Sequence, residues 1–220
     1  MHDTFARFVP REVVGAVLAR TDDDLRLGGS RRVTTVLFAD LRSFTSFAES
    51  RPPDRVVEVL NRYLGAMTDA IMDQGGTLVS FMGDGIMAVF GAPLDQDDHA
   101  DRALAAAREM AGPRLSAFNE WIREAGLGDG FEIGIGVNTG EVMVGQVGSK
   151  RRVEYTAIGD TTNTAARLEG MTKGTPHRVF VSGSTQEALA DAGGLVFVER
   201  LEVRGRDQPI DVWADAAEGP

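Results

Sequence analysis

The apolar positions of this chain switch between an unbroken or alternating rhythm and a helical one. Residues 33–39 are apolar and β-branched with no polar face, which predicts a buried central strand that ends abruptly at Asp40. Arg42-Ser43-Phe44-Thr45 then reads as a turn into a short helix through about Glu49. Pro52-Pro53-Asp54 opens a longer helix with the stripe Val56, Leu60, Tyr63, Leu64, Met67 and Ile71, and Gly75-Gly76 stops it. Two apolar runs, 77–82 and 86–90, flank Gly83-Asp84-Gly85, a hairpin signal with a carboxylate at its tip. Residues 95–110 read as a helix with an acidic first turn, and His99 within that turn reads as a surface residue. Gly112-Pro113 breaks or kinks this helix before a second segment to about Ala125.

The second half continues the alternation. Residues 131–137 predict a strand with one packed face, and Asn138-Thr139-Gly140 predicts a turn into another strand at 141–147. A strand at 154–158 leads through Gly159-Asp160 into a helix to about Met171, followed by a strand at 179–182. Residues 184–190 read as a helix capped by Ser184, and 195–203 with 209–213 as a final hairpin. Ahead of all this, apolar residues between Phe5 and Leu18 recur at helical spacing, and residues 21–32 read as a polar linker. The predicted order is β-αα-ββ-α-ββ-α-β-α-ββ. Strands arriving in hairpins predict an α+β fold with an antiparallel or mixed sheet and helices over one face.

Composition narrows the function. The 220 residues suffice for one large domain, and a net charge of −10 argues against nonspecific binding to nucleic acid or an anionic membrane. The absence of cysteine excludes disulfides and thiolate metal sites. No apolar run approaches the roughly 20 residues of a membrane span, and no secretory signal is visible, so a cytoplasmic location is expected. Two carboxylates at strand tips, Asp40 and Asp84, beside a helix N-terminus at Ser43–Thr45 suggest Mg²⁺ held against a polyphosphate. Asn163 and Arg167, four residues apart, share one helical face and could hold a ribose oxygen and a phosphate. Lys150-Arg151-Arg152 is a basic cluster in an acidic chain, suited to a phosphate.

The segments FADLRSFT, FMGDGIMAVFGAP, GIGVNTGEVMVGQVGS and EYTAIGDTTNTAARLE, in this order, resemble the class III nucleotidyl cyclase catalytic domain. The resemblance covers residues 32–213. It implies a ferredoxin-like palm acting as a head-to-tail homodimer, with two sites at the interface. The corresponding division is a helix and linker at 1–31, the catalytic domain at 32–214 and a tail at 215–220. A linker-like start hints at an upstream regulatory region.

By that resemblance, Asp40, Asp84 and the carbonyl of Leu41 bind two Mg²⁺, with Mn²⁺ able to substitute. Asn163 orients the ribose and Arg167 stabilises the transition state. Leu41, Ser43, Phe44 and Thr45 form the phosphate-binding turn, and Arg204 and Arg151 face the phosphates. Ser80 and Thr156 occupy the base-selecting positions, where family adenylyl cyclases usually carry Lys and either Asp or Thr. Guanylyl cyclases use Glu at the first of these. The implied reaction is ATP to 3′,5′-cyclic AMP and pyrophosphate. A guanylyl or dual-specificity cyclase, or a silent nucleotide-binding module used for dimerisation or regulation, remains as an alternative.

Overall fold

The computed structural model describes residues 28–149, 152–202 and 209–216. The N-terminal helix expected before residue 19, residues 21–27 of the expected linker, Arg151 and Arg204 lie outside the described residues.

Strand β1 (Gly28–Leu41) is longer than its apolar core predicts. The whole strand pairs antiparallel with β4 (Ile133–Ser149), from Gly28 opposite Gln146 to Leu41 opposite Ile133, so residues 28–32, read as linker, lie in the sheet opposite 142–146. Val33 is consequently 61% exposed, whereas Thr34 and Thr35 are buried. On its other edge β1 pairs with β3 (Gly85–Phe90), whose six positions are all buried, as expected of an interior strand. Strand β2 (Thr77–Met82) completes the hairpin with a bulge between Leu78 and Ser80. The sheet runs β2-β3-β1-β4-β6-β8-β7, with β5 (Arg152–Ile158) on the far end of β4. Strands β6 (Val179–Ser182), β7 (Leu195–Leu201) and β8 (Ile210–Asp215) complete it, and β6 runs parallel to β4. The sheet is therefore mixed and the fold α+β.

Successive side chains of a strand face opposite ways, so each central strand feeds two cores. On one face Leu37, Ile86, Ile135 and Val181 pack against α2 (Pro53–Asp73), α3 (His99–Glu109) and α4 (Leu115–Glu124) through Tyr63, Leu104 and Phe118. On the other face Val36, Val89 and Val144 meet Ala165, and Phe180 and Val212 meet Leu168, both from α5 (Asp160–Met171). Helices thus cover both faces, not one. The reason is Gly136 of β4. A Cβ there would stand 2.2 Å from the Ala165 carbonyl oxygen and 2.2 Å from the Glu169 nitrogen, so the strand offers α5 a bare lane.

One expected break is absent, and another takes its own form. Asn138-Thr139-Gly140 is no turn, because β4 runs straight through it. The interruption expected at Gly112-Pro113 is present, but as a change of helix type: α3 ends at Glu109. A π turn at Met110–Arg114 takes up the missing N–H, and α4 follows directly. The last helix, α6 (Gly183–Ala188), is capped not by Ser184 but by Ser182, two residues earlier, which accepts from the Thr185 amide at 3.1 Å.

Candidate active site

The site begins where β1 leaves the sheet. Ala39 and Leu41 are buried in the helical core, so strand alternation turns Asp40 the other way. The β2–β3 turn closes over it. Gly83 takes a left-handed conformation (φ 69°) at the tip, and a Cβ on Gly85 would lie 3.6 Å from Asp40 Oδ1. Asp84 is thereby brought within hydrogen-bonding reach of Asp40. The Asp40 pKa is pushed up to about 7, first by burial, then by the charge of Asp84 and the hydrogen bond between them, with a smaller push from Glu169. Arg42 pulls the other way, but its guanidinium is spent on Glu169, at 2.8 Å.

Two mutually repelling carboxylates, half out of water, fit a hard divalent cation. Among the described residues no third His, Cys, Asp or Glu completes a cluster with them. A cation here would therefore draw its remaining ligands from backbone carbonyl, water and substrate oxygen, which is the habit of Mg²⁺.

Beside the pair lies the turn into α1 (Phe44–Glu49). Ser43 holds a left-handed conformation (φ 63°) that suits few side chains other than Gly. Phe44 is buried against Phe47 and Phe131, at ring distances of 6.0 and 6.1 Å, which anchors the turn. Ser43 and Thr45 stay exposed, and the first N–H groups of a helix have no partner within it. A cavity of about 740 Å³ opens here, lined by Asp40, Asp84, Ser43, Thr45, Lys173 and Arg178 among others. A second cavity, about 790 Å³, lies away from the carboxylates, between β4, α6 and β8. Its hydroxyls are engaged within the protein: Ser184 donates to Asn138 Oδ1 and the Thr139 carbonyl, and Thr161 to the Glu141 carbonyl.

Asn163 and Arg167 project from the exposed face of α5, while Thr161, Thr164, Ala165 and Leu168 form its buried face. Glu169 faces Arg42 and the Asp40 pair. At 100° per residue, Arg167 stands about 160° and Asn163 about 120° around the helix from Glu169. One chain thus brings Asp40 and Asp84 together and turns Asn163 and Arg167 elsewhere. Ser80 and Thr156 are both half-buried, on β2 and β5, which approach one another in space.

Three residues near the carboxylates were not singled out from sequence. Glu169 sits at a buried-face position of α5, four after Ala165, and a charge there signals a partner. That partner is Arg42. The third is Tyr63, read only as part of an apolar stripe. It is fully buried, its hydroxyl has no hydrogen-bond partner, and burial together with the charges of Asp40, Asp84 and Glu169 drives its pKa far up. His99 is half-buried rather than on the surface, with Nδ1 2.8 Å from the Thr35 hydroxyl. Burial lowers its pKa against the pull of Asp98, Asp101 and Asp97.

Strand order, the paired carboxylates and the anchored turn together define the fold and its candidate site. Residues 30–215 match the family described as the adenylate and guanylate cyclase catalytic domain, and the chain belongs to it. Adenylate cyclase 1 of Rhizobium meliloti (strain 1021) is 34% identical over 213 residues, covering 96% of this chain and 31% of that protein. The adenylate cyclase of Anabaena cylindrica is 33% identical over 221 residues, 96% of this chain and 42% of its own length. The chain thus spans about a third to two fifths of these curated relatives. Among solved structures, the guanylyl cyclase Cya2 is 42% identical with a TM-score of 0.76, covering 86% of this chain and 93% of that one. The adenylyl cyclase CyaB from P. aeruginosa is 29% identical with a TM-score of 0.79, covering 86% and 95%. No helix among the described residues is long and apolar enough to cross a membrane.

Proposed function

We propose that this chain is a purine nucleotidyl cyclase that converts ATP to 3′,5′-cyclic AMP and pyrophosphate, at two sites each shared between the chains of a homodimer. The observation that carries the reading is the Asp40–Asp84 pair beside the anchored turn 42–46. Bound there by Asp40, Asp84 and the Leu41 carbonyl, two Mg²⁺, or Mn²⁺ in their place, would supply positive charge to acidify the attacking hydroxyl and offset the triphosphate. In the reaction the ribose 3′-oxygen bonds to the α-phosphorus of its own nucleotide. The bond from that phosphorus to the β-bridging oxygen breaks, pyrophosphate leaves in line, and the hydroxyl proton passes to water or to a phosphate oxygen.

The backbone N–H groups of Ser43, Phe44 and Thr45 hold the terminal phosphates. Arg204 and Arg151 would add charge there. Asn163 fixes the ribose so that its 3′-oxygen faces the α-phosphorus. Arg167 donates to oxygens whose charge grows as the leaving bond stretches, so it binds the transition state more strongly than the substrate. Both belong to the other chain in this reading, in keeping with their turn away from Glu169.

Base choice rests with Ser80 and Thr156. Each hydroxyl can donate or accept, so neither purine is rejected by an unpaired charge. The absence of Glu at position 80 favours ATP, whereas the 42% identity to a guanylyl cyclase favours a GTP reading. The test is purified protein incubated with ATP or GTP and Mg²⁺ or Mn²⁺, followed by separation of cyclic nucleotide and pyrophosphate. Cyclic AMP formed from ATP faster than cyclic GMP from GTP supports the proposal. Faster cyclic GMP replaces the substrate, and no cyclic product with either nucleotide overturns the reaction.

A further inference from the structure

Arg42 follows Asp40 by two residues, which would ordinarily place it among the anion-binding groups of the same turn. Its side chain goes elsewhere. Nη2 donates to the Glu169 carbonyl at 2.8 Å and to the Thr172 hydroxyl, and Nη1 lies 2.8 Å from Glu169 Oε1. Thr172 in turn donates to the same Glu169 carbonyl at 2.8 Å. The guanidinium therefore closes the C-terminal end of α5, where carbonyls lack helical partners and a cation is favoured. The Arg42 and Glu169 side chains are only 18% and 16% exposed. Glu169 Oε1 has no well-aligned hydrogen bond, so charge is what pairs it.

The adjacent strand β4 is shaped for this clasp. A Cβ on Gly134 would fall 1.6 Å from Arg42 Nη2 and 2.4 Å from the Thr172 hydroxyl. The Arg42 amide is itself tied to the Glu132 carbonyl at 2.8 Å, which fixes the root of the side chain. One end of α5 is thus locked to the end of β1, and the helix lies on bare backbone at Gly136.

We propose that Arg42 and Glu169 are positioning residues that set the pose of α5, and with it Asn163 and Arg167. Resting on the shared-site reading above, this means each chain's Arg42 serves the site built on the partner's carboxylates, although it is adjacent to its own. The competing assignment makes Arg42 a phosphate contact in its own half-site. The two differ in which mixed dimer works. If Arg42 acts through α5, an Arg42→Gln chain has an intact carboxylate half and a defective α5 half. Paired with Asp40→Ala, both lesions fall in one site and the other is whole. Paired with Arg167→Ala, each site carries one lesion. The phosphate-contact assignment predicts the reverse.

The experiment mixes tagged chains under subunit exchange, isolates heterodimers and assays cyclic nucleotide formation. Glu169→Gln is run in parallel, since it breaks the ion pair without leaving a carboxylate unpaired. The expected result is that Arg42→Gln and Glu169→Gln, each weak alone, recover with Asp40→Ala to about half of wild type per heterodimer, one site of two. Neither recovers with Arg167→Ala. Recovery with Arg167→Ala, or with both partners, overturns the assignment. So does recovery with neither, the outcome of general misfolding. The Asp40→Ala and Arg167→Ala heterodimer is the control. If it recovers while the others do not follow the pattern, only the assignment falls. If it stays inactive, the shared-site reading falls and takes the assignment with it.

Discussion

Asp40 pairs with Asp84 at the edge of a cavity, and burial and like charge hold its pKa near 7 against an ordinary 3.8. Folding therefore takes up a proton that the unfolded chain releases. The stabilisation that proton brings is complete below about 3.8 and fades as pH rises through about 7. Glu169, also raised, adds in the same direction. In chelator, the melting temperature of the protein should fall between pH 5 and 7.5. Asp40→Asn should flatten most of that slope, and Mg²⁺ at pH 7.5 should raise the melting temperature of the wild type but not of the variant. Scanning calorimetry reads both, and an unchanged slope in Asp40→Asn would show that the pair does not share a proton. A second prediction concerns the base. Ser80→Lys should raise the ATP-to-GTP ratio of kcat/KM about tenfold or more, because an ammonium can donate to adenine N1 but meets a donor on guanine N1. A hydrogen bond to a charged group is worth about 1.5–3 kcal/mol. An unchanged ratio would show that Ser80 does not face the base.

At the scale of elements, the seating of α5 on β4 decides the geometry. Gly136→Ala puts a methyl into the backbone of α5 and should cost about 3 kcal/mol of unfolding free energy, the upper end of overpacking, since backbone cannot step aside as a side chain can. A denaturation midpoint equal to wild type would mean that helix and strand are not in contact there. The sequence alone predicts α5 and its bounds, because Gly159-Asp160 and the apolar face are local signals. It predicts the β2–β3 hairpin for the same reason, and with it the approach of Asp84 to the end of β1. What it does not reveal is which face α5 covers, since Gly136 has no hydropathy to read. It also predicts a turn at Asn138-Thr139, where the structure has strand. Those polar side chains are satisfied from afar: Asn138 donates to the Thr161 carbonyl at 2.8 Å, and the Thr139 hydroxyl lies 2.7 Å from that of Thr35. Turn chemistry is local, and these partners are not. His99 reads as surface for a like reason, its place being set by Thr35, 64 positions away. Arg42 and Glu169 stand 127 residues apart, and only the fold makes them a pair.

For the whole molecule, the difficulty is charge. A chain of net charge −10 is proposed to bind a polyanion beside its own carboxylate pair. Divalent cations answer part of this, and the exposed Arg167 answers part only if it reaches the carboxylates of another copy. A twofold dimer presents each surface to its mate and forms two equivalent sites. Removing either half should be severe: loss of one transition-state donor typically costs about 10²–10³-fold in kcat. The most direct measurement is therefore complementation. Asp40→Ala and Arg167→Ala chains, each nearly inactive alone, are mixed in equal amounts under subunit exchange, and cyclic nucleotide formation is compared with wild type at equal total protein. Half of the dimers are then mixed, each with one intact site of two, so activity should return to about a quarter of wild type. Heterodimers that form, as differential tags would show, yet stay as inactive as their parents would mean that the site is built within one chain, and the shared-site account would be contradicted.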